Sequence, residues 1–477
     1  MMKHMKKRIL SGLLAGLVSV SSLAVLAPSS VSAAGLGYWP EPLPMGNQWY
    51  YQNESLQPYG SCFQIDELKN WSPDNDPDAR YNRGSIPLRD RWMGPSVNPL
   101  ASRDAKVMPL AMSNARASEA ASQGGDGDFV YAFNNFQYVD TYNFWGGSSA
   151  EGPIAIPSPE HIDAAHRNGV PATGTIFIPW GDYAYGNRFV SELVEKKPDG
   201  TYPAADKLIE IAQYYGFDGY IFNAESGTGV PGFKDFLAYI QKNKPDNFTI
   251  SWYNGSGSLS TSSIQNWMQD GDTRITDEWW LDMSGNGNVD GTIAAAQEMG
   301  VDPWNIHSTW EYWPMSGMSG TKGGNYQTRL DKDGFLKCSL GILAPTVTLT
   351  QSKNSDDFIN VQDQKLWVGP TFDPSSTYRP QSEFCGFANM VADRTPVIGT
   401  DFVTNFTTGN GYKFYENGKV TGKKDGWYNR SLTDVLPTWR WIIESEGEKL
   451  SAKIDFDDAW WGGTSMKVYG DMDANKA

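Results

Sequence analysis

In AADKLIEIAQYYGFDGYIFNAESGTG, residues 204–229, an amphipathic helix turns straight into a strand. Leu208, Ile211, Ala212 and Tyr215 recur at helical spacing and form one apolar stripe. Gly216 follows at once and is suited to the left-handed conformation that ends helices. Phe217-Asp218-Gly219 then turns the chain into the apolar Tyr220-Ile221-Phe222, which reads as a buried strand. Two polar residues, Asn223 and Glu225, stand one position apart at its end, ahead of a glycine-rich exit.

The same rhythm runs through the middle of the chain. Strand-like segments are VMPLAM (107–112), VDTYNFW (139–145), TGTIFIPW (173–180), GYIFN (219–223), FTISWY (248–253), TDEWWL (276–281), NIHSTWEY (305–312) and LGILAPT (340–346). Helical intervals such as PSPEHIDAAHRNG, AADKLIEIAQYYG and GFKDFLAYIQKN separate them. Alternation of this kind argues for parallel pairing. Eight such units close into a (β/α)8 barrel of about 250 residues. An open doubly wound sheet would need a glycine-rich phosphate turn after its first strand, and VMPLAMSNARASE has none. The expected class is therefore α/β: a (β/α)8 TIM barrel followed by the start of an all-β, sandwich-like domain.

Residues 34–105 are rich in Pro, Asn, Asp and Trp and read as a lead-in segment packed on the barrel, with short helices such as one around DELKNW. The barrel is expected over 106–395. From 396 to 477, short aromatic segments such as NGYKFYENGKV, WYNRSL and AKIDFDDAWWGGTSMKVYG are split by Gly, Asn and Asp turns. The residues left there are fewer than the roughly 100 of a complete sandwich, so the domain reads as one that continues beyond this chain. Residues 1–33 read as a signal peptide. Lys3, Lys6, Lys7 and Arg8 precede the apolar run ILSGLLAGLVSVSSLAVLA, and Val31-Ser32-Ala33 supplies a small-residue cleavage site; an uncleaved anchor is the alternative. The location this implies is secreted, extracellular or cell-surface associated, with no membrane span once the leader is removed.

Composition narrows the function. The formal charge is −16, and removal of the leader takes away four cations and no acid. Such a surface argues against nucleic acid as a partner. The three cysteines form no CxxC pair and no disulfide framework. His4, His161, His166 and His307 show no HxxxH or HExxH spacing, so no metal centre is expected. Aromatics reach 13%, with 19 Trp and 23 Tyr. That suits either rings that grip sugar faces or an aromatic-rich core.

Side chains two apart on a strand share a face, roughly 6–7 Å apart. Asn223 and Glu225 therefore project together from the C-terminal end of the fourth strand, the end where barrel enzymes keep their chemistry. A glutamate facing the barrel mouth is partly desolvated, which raises its pKa and suits a general acid near neutral pH. The spacing alone also allows Asn223 to cap the next helix and Glu225 to sit solvated in a loop.

The order Phe-Asp-Gly, three residues, Asn, one residue, Glu resembles the chitinase signature of family 18. With Asn223 where that signature has Asp, it looks instead like glycoside hydrolase family 85, the endo-β-N-acetylglucosaminidases that cut within the N-glycan core. Gln137-Tyr138-Val139-Asp140, Ile156-Pro157, IDAAHRNGV (162–170), GTIFIPW (174–180), Trp252-Tyr253 and TNFTTGNGYKF with WYNRSL are similar to that family in order and spacing. The likeness covers about residues 60–460. It implies catalysis assisted by the substrate's own acetamido group. Glu225 would be the acid/base, Asn223 would steer the acetamide, and Tyr253 would hydrogen-bond it. Trp252, Trp279, Trp280 and Trp310 are stacking candidates that read equally well as core, and Glu311 is a candidate partner for a sugar hydroxyl. The resemblance requires no metal and no cofactor. It implies N-glycoproteins or free N-glycans as substrate and a protein acting as a monomer. A chitinase-like enzyme on GlcNAc polymers is the near alternative, against which Asn223 speaks. A non-catalytic carbohydrate-binding barrel is the distant one, against which Asn223, Glu225 and Tyr253 together speak.

Overall fold

The computed structural model describes residues 62–113, 123–147, 152–178, 183–283, 288–311, 326–421, 425–436 and 450–470. The expected leader at 1–33 lies outside the described residues. Eight strands pair in parallel: β1 (Val107–Ala111), β2 (Tyr142–Phe144), β3 (Ala172–Ile178), β4 (Gly219–Ala224), β5 (Thr249–Tyr253), β6 (Glu278–Trp280), β7 (Ile306–Glu311) and β8 (Ser339–Leu343). Each pairs with the next in chain order, and β8 pairs with β1, so the sheet closes into a barrel. All eight expected strands are present. Ile154–Ala155 and Cys62–Phe63 add an antiparallel ribbon beside β3.

Helices α1 (Pro159–Arg167), α2 (Tyr183–Leu193), α3 (Pro203–Tyr215), α4 (Phe233–Asn243), α5 (Thr261–Trp267) and α6 (Val289–Glu298) connect the strands. The expected stripe of α3, Leu208, Ile211, Ala212 and Tyr215, is fully buried. Gly216 ends that helix at φ 83°, where a side chain would be strained, and its N–H donates to the Ala212 carbonyl. Asp218 fixes the start of β4. It accepts from His166 Nε2 at 2.7 Å and from the Ala172 N–H at 2.9 Å. Burial works against charge on His166, but the hydrogen bond and charge of Asp218, with the Ile86 carbonyl and Asp163, together outweigh it and raise its pKa.

Alternation along the strands separates two apolar layers. Tyr220, Phe222, Ile250, Trp252, Trp279, Ile306, Trp310, Leu340 and Ile342 point outward into the main core, where the helices lie. Met108, Leu110, Ile221, Tyr253 and Trp280 fill the barrel interior. Each fully buried side chain of this size contributes about 1.5–3 kcal/mol, so a strand is held from both faces.

Besides the barrel sheet the described residues form four small antiparallel sheets, three of them built with residues that follow the barrel. One joins distant parts of the chain: Trp427–Tyr428 pairs with Asn410–Gly411 and with Gly125–Asp126, which lies between β1 and β2. The following Arg430 enters the barrel wall. Its guanidinium donates to Glu160 of α1 and to the Tyr131 carbonyl, and its backbone N–H donates to Glu160 Oε2 at 2.9 Å. Glu160 is completely buried. Replacing one partner strands the other charge in a low-dielectric site. Arg430→Met should therefore destabilise the protein by about 3 kcal/mol, read as a lowered denaturant midpoint. Restoration by Glu160→Gln in the same chain would identify the stranded charge as the cause, whereas an equal loss in both variants would point to lost packing.

Candidate active site

Asn223 sits on the inward face of β4 near its C-terminal end. The register places it beside Phe177 of β3 and Tyr253 of β5, so these three form one layer across adjacent strands. The Asn223 Nδ2 donates to Glu225 Oε1 at 3.1 Å, which leaves Oδ1 as the amide's acceptor. The Glu225 N–H still donates to the Ile178 carbonyl at 3.1 Å, extending the strand pairing by one residue. Glu225 is therefore held by the sheet and is not a solvated loop residue.

Two carboxylates inside the barrel are tuned in opposite directions. Glu278, at the start of β6, is pushed up by burial, but His307 and Lys106 outweigh that and hold its pKa down at about 2. Lys106 Nζ and His307 Nε2 stand 3.2 and 3.3 Å away. Glu278 is thus a permanently ionised structural group. Glu225 is partly open to the mouth, yet burial of its carboxyl raises its pKa to about 7, against a lowering by the Asn223 bond and with a further rise from Asp282. A carboxyl poised there both gives and takes a proton near neutral pH.

The Tyr253 hydroxyl donates to Asp282 Oδ2 at 2.7 Å. Burial is the main cause that raises the phenol's pKa well above its ordinary value. Glu311, at the end of β7, is also raised, first by burial and then by Asp282. Below this group Trp280 closes the barrel, its ring edge-on to Tyr253 at 6.5 Å. Gly341 of β8 makes room for it: a Cβ there would fall 2.4 Å from Trp280 Nε1.

The structure brings together Asn223, Glu225, Tyr253, Trp280 and Glu311. It does not bring Trp252, Trp279 and Trp310 to them, which corrects the reading of these rings as stacking platforms. Each is the immediate neighbour of an inward residue and so must point outward. Trp252 stacks on Trp267 of α5 at 4.4 Å, and Trp310 packs on Phe384 with the Arg329 guanidinium over its face. Trp279 is fully buried in the same outer core. A ring closed on both faces has none left for a sugar. Trp280 lies inside the barrel but is also closed off, with 1% of its surface exposed.

The partly exposed apolar wall of the mouth is built from other residues. Trp145, Met283 and Leu343 pack against the Tyr253 and Trp280 cluster, and Phe177 meets Trp145 edge-on at 6.0 Å. Sequence reasoning missed them, although all but Met283 lie within the expected strand segments: Trp145 ends the second, and Phe177 and Leu343 lie near the C-terminal ends of β3 and β8 as the structure draws them. Asp282 was missed too, because nothing near it in the sequence marks its partner. Among the described residues no cluster of three or more His, Cys, Asp or Glu could hold a metal, and no helix is long and apolar enough to cross a membrane.

A family model described as glycosyl hydrolase family 85 matches residues 113–414. The chain is 26% identical over 439 residues to the cytosolic endo-beta-N-acetylglucosaminidase of Danio rerio, covering 88% of this chain and 56% of that protein. It is 22% identical over 461 residues to the Homo sapiens protein of the same description, covering 91% and 55%. The chain thus spans about half the length of the curated relatives it matches. Among solved structures it is similar to the Endo-D glycoside hydrolase domain from Streptococcus pneumoniae R6, with a TM-score of 0.78 and 34% identity, covering 87% of this chain and 67% of that one. The relatives also correct the expected location. The four curated animal relatives are described as cytosolic, which contradicts the expected secretion. Cations followed by an apolar run are a compositional signal that does not depend on the fold.

Proposed function

The chain belongs to glycosyl hydrolase family 85, and on that premise we propose that it is an endo-β-N-acetylglucosaminidase. It hydrolyses the GlcNAc-β-1,4-GlcNAc bond in the core of N-linked glycans, on N-glycoproteins or free glycans, as a monomer. We assign the catalytic barrel to residues 106–395, preceded by the lead-in segment 34–105 and followed by the region 396–477, whose described part is β-rich. The observation that carries the reading is the Asn223–Glu225 pair, a carboxyl with its pKa near 7 held by an amide whose oxygen remains to accept.

Glu225 gives its proton to the oxygen leaving with the second GlcNAc. The acetamido oxygen of the first GlcNAc attacks its own anomeric carbon as the bond to the leaving oxygen breaks, and the ring closes to an oxazolinium ion that keeps its N–H. Asn223 Oδ1 accepts the acetamido N–H and holds that oxygen in line. Glu225, now ionised, takes a proton from the water that opens the ring, and the configuration is retained. A sugar hydroxyl in place of water gives transglycosylation. Rings of the mouth wall, Trp145 and Phe177, flank the sugar, and Glu311 takes a hydroxyl.

Digestion of an N-glycoprotein should leave one GlcNAc on each modified Asn and release a glycan ending in a single GlcNAc. Mass spectrometry of both products checks this. Bare Asn or Asp at the sites would show that the bond cut is a different one and reject the assignment.

A further inference from the structure

Closure of an oxazolinium ring spreads positive charge over it, and Asn223, a neutral amide, has no negative charge to set against this. A carboxylate reaches the same layer through Tyr253. Tyr253 stands beside Asn223 in register, and its hydroxyl donates to Asp282 at 2.7 Å. With that proton committed to Asp282, the phenolic oxygen presents lone pairs to the cavity. Asp282 is fixed from a second side as well: its backbone N–H donates to the Ser256 carbonyl at 2.8 Å, in the loop that leaves Tyr253.

We propose that Asp282 is a positioning residue that acts through Tyr253, turning the lone pairs of the phenol oxygen toward the acetamido group and supplying the negative field that Asn223 lacks. This rests on the substrate-assisted reading above. The titratable groups facing the same space are Glu225 from the end of β4, Tyr253 from β5, Asp282 after β6 and Glu311 from β7. Burial, first, and the charge of Asp282 both raise the pKa of Glu225. Loss of that charge therefore lowers the pH above which Glu225 gives up its proton.

The test compares Asp282→Asn, Tyr253→Phe and the double variant on an N-glycopeptide, with kcat and KM measured across pH. Asp282→Asn should lower kcat about tenfold or more with little change in KM, as loss of transition-state electrostatics does. The alkaline limb of kcat/KM should move to lower pH. In the Tyr253→Phe background the same change should cost no more than about twofold further in kcat, because residues that act as one unit are not additive. A kcat within twofold of wild type with an unmoved limb overturns the proposal. So do losses that multiply in the double variant, or an effect confined to KM or to melting temperature. If the wild-type protein releases no glycan at all, the glycosidase reading falls and this proposal falls with it.

Discussion

Glu225→Gln is expected to lose about 10²–10⁴-fold in turnover of intact glycoprotein, the range that a positioned acid/base supplies. Gln keeps the shape and can still receive the Asn223 amide hydrogen bond, but it has no proton to give to a leaving sugar. The fold should persist, and pH gives a second signature. The folded pKa of Glu225 is about 7, above its ordinary 4.5, mainly because burial disfavours the charged form. The stability tied to its neutral form is therefore fully present below about pH 4.5 and is lost as pH rises through about 7. Gln removes that dependence. Relative to wild type, Glu225→Gln should gain on the order of 1–3 kcal/mol at pH 8 and almost nothing at pH 4. Thermal melts at both values, beside turnover, check the two halves together. Near-normal turnover would take the acid role away from Glu225, and a lower melting temperature at both pH values would make it a packing residue.

Asn223→Ala should abolish hydrolysis of intact glycoprotein while leaving transfer from a preformed oxazoline. The amide's part is to hold an internal nucleophile near the anomeric carbon, and positioning of that kind carries several kcal/mol of a barrier. A donor in which the ring is already closed does not need it. Glu225 remains to take the proton from an acceptor hydroxyl, so a synthetic sugar oxazoline should still be transferred to a GlcNAc acceptor, and the product should survive. Loss of both activities in a folded variant would mean that Asn223 matters through Glu225, to which it donates at 3.1 Å. Intact hydrolysis would make Asn223 a strand-end residue with no part in the chemistry.

Much of the site is legible in the sequence. The stripe of α3, the stop at Gly216 and the turn at Asp218-Gly219 fix where β4 begins, and counting from there puts Asn223 and Glu225 on one face. The same counting excludes one residue of each pair Trp252-Tyr253, Trp279-Trp280 and Trp310-Glu311 from the barrel interior. Abundance of tryptophan suggested sugar platforms. Parity shows that three of the four rings considered serve the outer core, and the alternation needed to see this was in the sequence.

By itself the sequence determined the eight strands, their alternation with helices, the closed barrel and the amide–carboxyl pair at one strand end. These follow from periods of 2 and 3.6 residues and from local turn chemistry, which depend on neighbours a few positions away. Only the tertiary structure decided which partners those groups meet. The hydroxyl of Tyr253 finds Asp282, 29 residues on, and Glu160 finds Arg430, 270 residues on. It also decided that Glu278 is held near 2 and Glu225 near 7 within one barrel. A pKa is set by the dielectric and the charges within a few ångströms, and those distances come into being only when the barrel closes.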